Sequence, residues 1–192
     1  MSFLAFSAFL FVASVAITMV LGMSMSAMGG MPMSGGWTMS MAWMRMPGQT
    51  WTMTALSFVA MWTVMMVAMM LPSLVPVLRR YRQAMTSIAG GRLGSLTALV
   101  GAGYFFVWIV AGVAAFAVGV ALTQVEMQQP ALARAVPIAA GVVILLAGAF
   151  QFSTWKARHL TCCRYESAPV GPLRDDPGAA WRHGLRLGVH CS

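Results

Sequence analysis

Thioether sulfur is the chemistry this chain offers in quantity: nineteen of its 192 residues are methionine. Met61, Met65 and Met69 recur at every fourth position. At about 100° per residue they stack on one side of a helix, and Met66 and Met70 make a second column beside them. A thioether is a soft, uncharged ligand that suits a monovalent soft ion such as copper(I). It also sits in hydrocarbon without the desolvation penalty a carboxylate meets there. Methionine is equally an adaptable apolar filler of helix bundles, and for these five residues alone packing explains the pattern as well as ligation does.

A second group of methionines is harder to assign to packing. Met23, Met25, Met28, Met31, Met33, Met39, Met41, Met44 and Met46 fall in a segment rich in Gly and Ser whose single charge is Arg45. Glycine and proline deny its first part a regular helix, and core filling suits an exposed loop poorly. Alternation with small polar residues gives a pliable chain whose sulfurs can converge on an ion, with Met31, Met33, Met39 and Met41 as candidate ligands; an oxidisable linker is the competing reading. Trp37 to Met46 is expected along the membrane interface, with Trp37, Trp43 and Trp51 as belt residues.

Ordinary metal-ligand chemistry is confined to the C-terminal tail, where His159, Cys162, Cys163, His183, His190 and Cys191 occur. On a helix His159 and Cys163 share a face, and His190 and Cys191 are neighbours. Arg158 and Arg164 flank the vicinal cysteines and favour thiolate, the form that binds metal. The spacing is not that of a paired C-x-x-C zinc site, and three cysteines make no disulfide framework. His159, Cys162, Cys163, His190 and Cys191 are the candidate ligands, against a reading of them as scattered tail residues.

The elements that must position these groups are membrane helices. With 59% hydrophobic and 8% charged residues, the chain has an apolar excess that no soluble domain of this size needs. The fold class is all-α, a polytopic membrane protein with four transmembrane helices. Residues 1–22 give the first, with a signal peptide as the competing reading, and 23–50 the Met-rich external loop. Residues 51–154 hold a three-helix core with a basic link at 79–95, and 155–192 a Cys/His tail. Pro72 and Pro76 are expected to kink or stop the second span. Leu96 to Leu122 is the third, with Ala111, Ala115 and Gly119 as a small face for close helix contact. Thr123 to Arg134 is a polar turn, and Pro137 opens the fourth span, which carries Gly141 and Gly148 on one face.

Charge sets the orientation. The link holds Arg79, Arg80, Arg82 and Arg92, and the tail holds Lys156, Arg158, Arg164, Arg174, Arg182 and Arg186, whereas the other two links hold only Arg45 and Arg134. The positive-inside rule then puts both termini in the cytoplasm of a cell whose inner membrane the protein spans, and the Met-rich loop outside. The net charge of +8 is read as topology signals and phospholipid contacts. Its basic residues are not interleaved with aromatics, so nucleic acid is excluded as a partner. The four spans as delimited contain no Asp, Glu, Lys, Arg or His, which removes the intramembrane acid, base or proton relay an enzyme or proton-coupled transporter needs.

Four blocks together resemble a known family. W-T-V-M-M-V-A-M-M-L-P-S-L-V-P (Trp62 to Pro76), G-Y-F-F-V-W (Gly103 to Trp108), F-Q-F-S-T-W-K-A-R-H-L-T-C-C-R (Phe150 to Arg164) and H-G-L-R-L-G-V-H-C (His183 to Cys191) are similar to the bacterial family described as predicted metal-binding integral membrane proteins, some of which carry a copper-chaperone label. The resemblance runs from about Trp37 to the end. It places Met65, Met66, Met69, Met70, Pro72, Lys156, Cys163, Gly184, Gly188 and Cys191 on motif positions. Family members continue past the position of Cys191 into a further Cys-Cys motif and one or two more spans, whereas this chain stops at Ser192, so a site built on those later thiols is not carried over. The resulting expectation is a non-enzymatic membrane protein that handles a soft metal ion, copper(I) first, in homeostasis, transfer or facilitated transport. Its partners are then the lipid bilayer, the metal ion and either further copies of itself or a partner membrane subunit. The alternative is a structural or assembly subunit of a larger membrane complex in which methionine only packs.

Overall fold

The computed structural model describes residues 3–27, 29–33, 36–40, 43–45, 48–153 and 176–190. In chain order these form α1 (Phe3–Ala27), β1 (Gly30–Pro32), β2 (Thr38–Ser40), α2 (Trp51–Ala89), a 3-10 turn (Gly90–Arg92), α3 (Leu93–Gln128), α4 (Pro130–Gln151) and α5 (Pro177–His190). The described chain is all-helical apart from the small hairpin of β1 and β2, and α1 to α4 are each long and apolar enough to cross a membrane.

Helix α2 starts at Thr50, whose hydroxyl accepts the Met53 backbone N–H at 3.3 Å, and ends at Gly90, where φ is +48°. It does not stop at Pro72 or Pro76. Both prolines are exposed, while Leu71, Leu74, Leu78, Tyr81, Met85 and Ala89 recur at steps of three and four and are buried. The prolines thus lie off the packed stripe, which holds the helix together despite the missing donors.

The break between α3 and α4 is tighter than the expected polar turn from Thr123 to Arg134, most of which is helical. Gln129 alone is extended, as a residue before proline must be, and Pro130 rather than Pro137 opens α4; Pro137 lies inside the helix.

Packing concentrates at one end. Leu74, Leu78, Tyr81 and Met85 of α2, Leu96, Val100 and Tyr104 of α3, and Ala180 and Leu187 of α5 form one buried cluster. α1 lies along α2, and α4 packs on α3. The other half of the α2–α3 pair is held by aromatic rings. Phe58 lies 4.8 Å from Trp43, 5.3 Å from Phe116 and 6.1 Å from Trp62 between ring centres, and the Trp62 indole N–H donates to the Trp108 carbonyl at 3.0 Å. Gly112 and Gly119 make room for Trp62 and Trp43, so part of the small-residue face of α3 receives indoles rather than a helix backbone. A Cβ added at Gly141 or Gly148 of α4 would meet nothing within 4 Å among the described residues.

Within the expected tail, residues 177–190 form α5. Asp176 caps it, its carboxylate accepting the Gly178 and Ala179 N–H groups at 3.2 and 3.0 Å, and Pro177 follows as the first residue. α5 lies on α3 with backbones almost touching. A Cβ on Gly184 would collide with the Val100 carbonyl, one on Gly103 would lie 2.6 Å from the Trp181 oxygen, and one on Gly188 would lie 3.0 Å from the Tyr104 oxygen. Gly184 faces Val100 and Gly103 while Gly188 faces Tyr104 and Val107, so α5 and α3 run in the same direction.

Candidate metal centre

Antiparallel register brings two of the loop methionines together. Met31 pairs with Met39, flanked by Gly30 with Ser40 and Pro32 with Thr38. Residues directly opposite in such a ladder point to the same face with Cβ atoms about 4.5–5.5 Å apart, close enough for two thioethers to share one ion. Met39 is 3% exposed and Met31 half-buried. Met33, also half-buried, continues the pairing: its N–H donates to the Trp37 carbonyl at 2.9 Å, and its carbonyl accepts from Gly36 at 3.3 Å, where φ is +77°. The Trp37 indole N–H donates to the Ala133 carbonyl at 2.9 Å, which fastens the hairpin to the start of α4. Met41 lies outside the described residues.

The five α2 methionines divide between packing and exposure. Met66 is 5% exposed and Met70 packs against the buried cluster, while Met61 and Met65 are half-buried and Met69 is 55% exposed. The column of Met66 and Met70 therefore faces the other helices. In the column of Met61, Met65 and Met69, only Met69 is exposed.

Of the tail candidates, His159, Cys162, Cys163 and Cys191 lie outside the described residues, as does the side chain of His190, whose backbone ends α5. Among the described residues no three His, Cys, Asp or Glu side chains gather as a metal site. The structure does single out His183, which sequence reasoning left out of the ligand set. Its ring stacks on Tyr81 at 5.6 Å and 20°, and its buried Nε2 has no hydrogen-bond partner among the described residues. Burial, with Arg186 adding its positive charge, holds its pKa below the usual imidazole value. His183 is thus a neutral imidazole about two turns before His190. The cap Asp176-Pro177 signals in the sequence that a helix starts here, but not which of its faces meets its neighbours.

A family model described as copper chaperone, PpoB2, matches residues 59–192. The chain belongs to this copper chaperone family. The resemblance carried by the Met-Met-Leu-Pro and Cys-Cys blocks is confirmed by that match, which takes in α2 from Val59 onward, α3, α4, α5 and every cysteine and histidine. It leaves out α1 and the hairpin, so the Met31–Met39 pair stands outside the segment that defines the copper chaperone family here. No curated protein and no solved structure matches the chain.

Proposed function

We propose that the protein is a non-enzymatic membrane carrier of copper(I), its cargo, which it binds through uncharged sulfur and passes between ligand sets on the two sides of the bilayer. The observation that carries this reading is that all five α2 methionines lie inside the segment matched to the copper chaperone family, with Met69 exposed and Met61 and Met65 half-buried among the described residues. The outer set is Met31, Met33, Met39 and Met41. The middle set is Met61, Met65, Met66, Met69 and Met70, and the inner set His159, Cys162, Cys163, His190 and Cys191. Weak, chemically similar ligands in series allow exchange, whereas one tight site would trap the ion. The charge asymmetry supports an inner-membrane placement with both termini in the cytoplasm.

The test is copper(I) stoichiometry of the purified protein in detergent, before and after changing Met65, Met66, Met69 and Met70 together to Leu. Each Met→Leu swap conserves volume and usually costs less than about 1.5 kcal/mol, and the unfolding temperature of the fourfold variant shows that the fold is kept. A loss of bound copper is expected. Unchanged stoichiometry removes the membrane site, and stable co-purification with a partner subunit without any copper response favours the assembly role instead.

A further inference from the structure

A cleft of about 350 Å³ opens where the start of α1 meets the last third of α2 beside the start of α3. Arg79, Arg82, Gln83 and Thr86 line one wall. Spaced three and four apart, they occupy one face of α2. Phe3, Leu4 and Leu93 add an apolar part to the lining, and none of the described lining residues is acidic. Arg82 is oriented in advance: its guanidinium lies 5.0 Å above the Phe3 ring and donates to the Thr97 hydroxyl at 3.5 Å, and Thr97 in turn donates to the Leu93 carbonyl at 2.6 Å. Thr86 donates to the Arg82 carbonyl at 2.7 Å, so the donors that face the cleft are two guanidiniums and the Gln83 amide.

Depth along the helix says what such a cleft meets. The uncharged run from Trp51 to Leu78 is about 42 Å long at 1.5 Å per residue, more than the roughly 30 Å of a hydrocarbon core. Arg79 and Arg82 therefore fall at headgroup level, with the apolar part of the lining beside them.

We propose that this cleft is a binding site for the phosphate of an anionic phospholipid, Arg79 and Arg82 holding the phosphate oxygens, Gln83 donating a neutral hydrogen bond, and the acyl chains lying against Phe3, Leu4 and Leu93. Guanidinium forks match phosphate oxygens and gain charge-assisted hydrogen bonds. With no carboxylate among the described lining residues, a zwitterionic headgroup finds nothing there to meet its ammonium. The apolar part of the lining favours a lipid over a free phosphate. The site does not depend on the metal reading.

The full chain in detergent is titrated with phosphatidylglycerol, phosphatidylcholine or glycerol 3-phosphate, following thermal unfolding and, by native mass spectrometry, bound lipid. Phosphatidylglycerol is expected to give a saturable rise in unfolding temperature. Arg79 is exposed, so Arg79→Gln keeps the fold, and it should raise the half-saturating concentration about tenfold, the loss of one charge-assisted hydrogen bond. Arg134→Gln, the same charge change on α4, should leave that concentration unchanged. An equal response to phosphatidylcholine, or identical behaviour of the two variants, overturns the site. Half-saturation by glycerol 3-phosphate at the same concentration as the lipid overturns the lipid assignment in favour of a soluble phosphate.

Discussion

His183 shows how one side chain can escape sequence reading. Its type was visible in the tail, but its burial against Tyr81 exists only because α5 docks on α3. That burial has a consequence for stability. The folded-state pKa is depressed by desolvation and by Arg186. On acidification through about 6.5 the unfolded chain takes up a proton that the folded chain resists, so stability falls with pH below that point, while above neutrality both states are uncharged and the slope vanishes. Thermal unfolding in detergent at pH 7.5 and 5.5 should show an acid loss that His183→Phe, which keeps a ring beside Tyr81, largely abolishes. An undiminished loss in the variant would assign the acid sensitivity elsewhere. The methionines behaved differently. Their helical spacing was legible at once, because a four-residue recurrence specifies a column whatever surrounds it. Which column would be buried was not, since Met66 and Met69 differ only in what α2 packs against.

At the scale of elements, hydrophobic runs announced all four long helices, while boundaries depended on contacts the sequence does not state. Pro72 and Pro76 pointed to a kink or a stop in α2, and the buried stripe from Leu71 to Ala89 carries the helix past both without a stop. The Met31–Met39 ladder was hidden by the same glycines and prolines that argued for an irregular loop. The docking of α5 rests on missing side chains at Gly103, Gly184 and Gly188, and close backbone approach is what these glycines supply. Gly184→Ala forces a methyl onto the Val100 carbonyl and should cost about 1–3 kcal/mol, read as a lower unfolding temperature and faster proteolysis of α5. Gly94→Ala, where the added methyl meets nothing within 4 Å, should be neutral or stabilise by about 0.4–1 kcal/mol. Equal effects of the two would mean that α5 is not seated by its glycines.

The whole molecule combines uncharged sulfur in a paired hairpin, uncharged sulfur along α2, and membership of a copper chaperone family whose matched segment carries all the thiols and imidazoles. In the proposed carrier, their order along the chain and the charge asymmetry define the path the ion takes. Among the described residues α4 is extensively exposed, an apolar surface suited to lipid or to a second copy. The most direct measurement is the resonances of methionine side chains labelled with carbon-13 at the methyl group, recorded in detergent during anaerobic titration with cuprous ion. The account predicts saturable shifts at Met61, Met65 and Met69 and at Met31 and Met39. Methyl resonances unmoved through excess cuprous ion would contradict it and leave the methionines as packing.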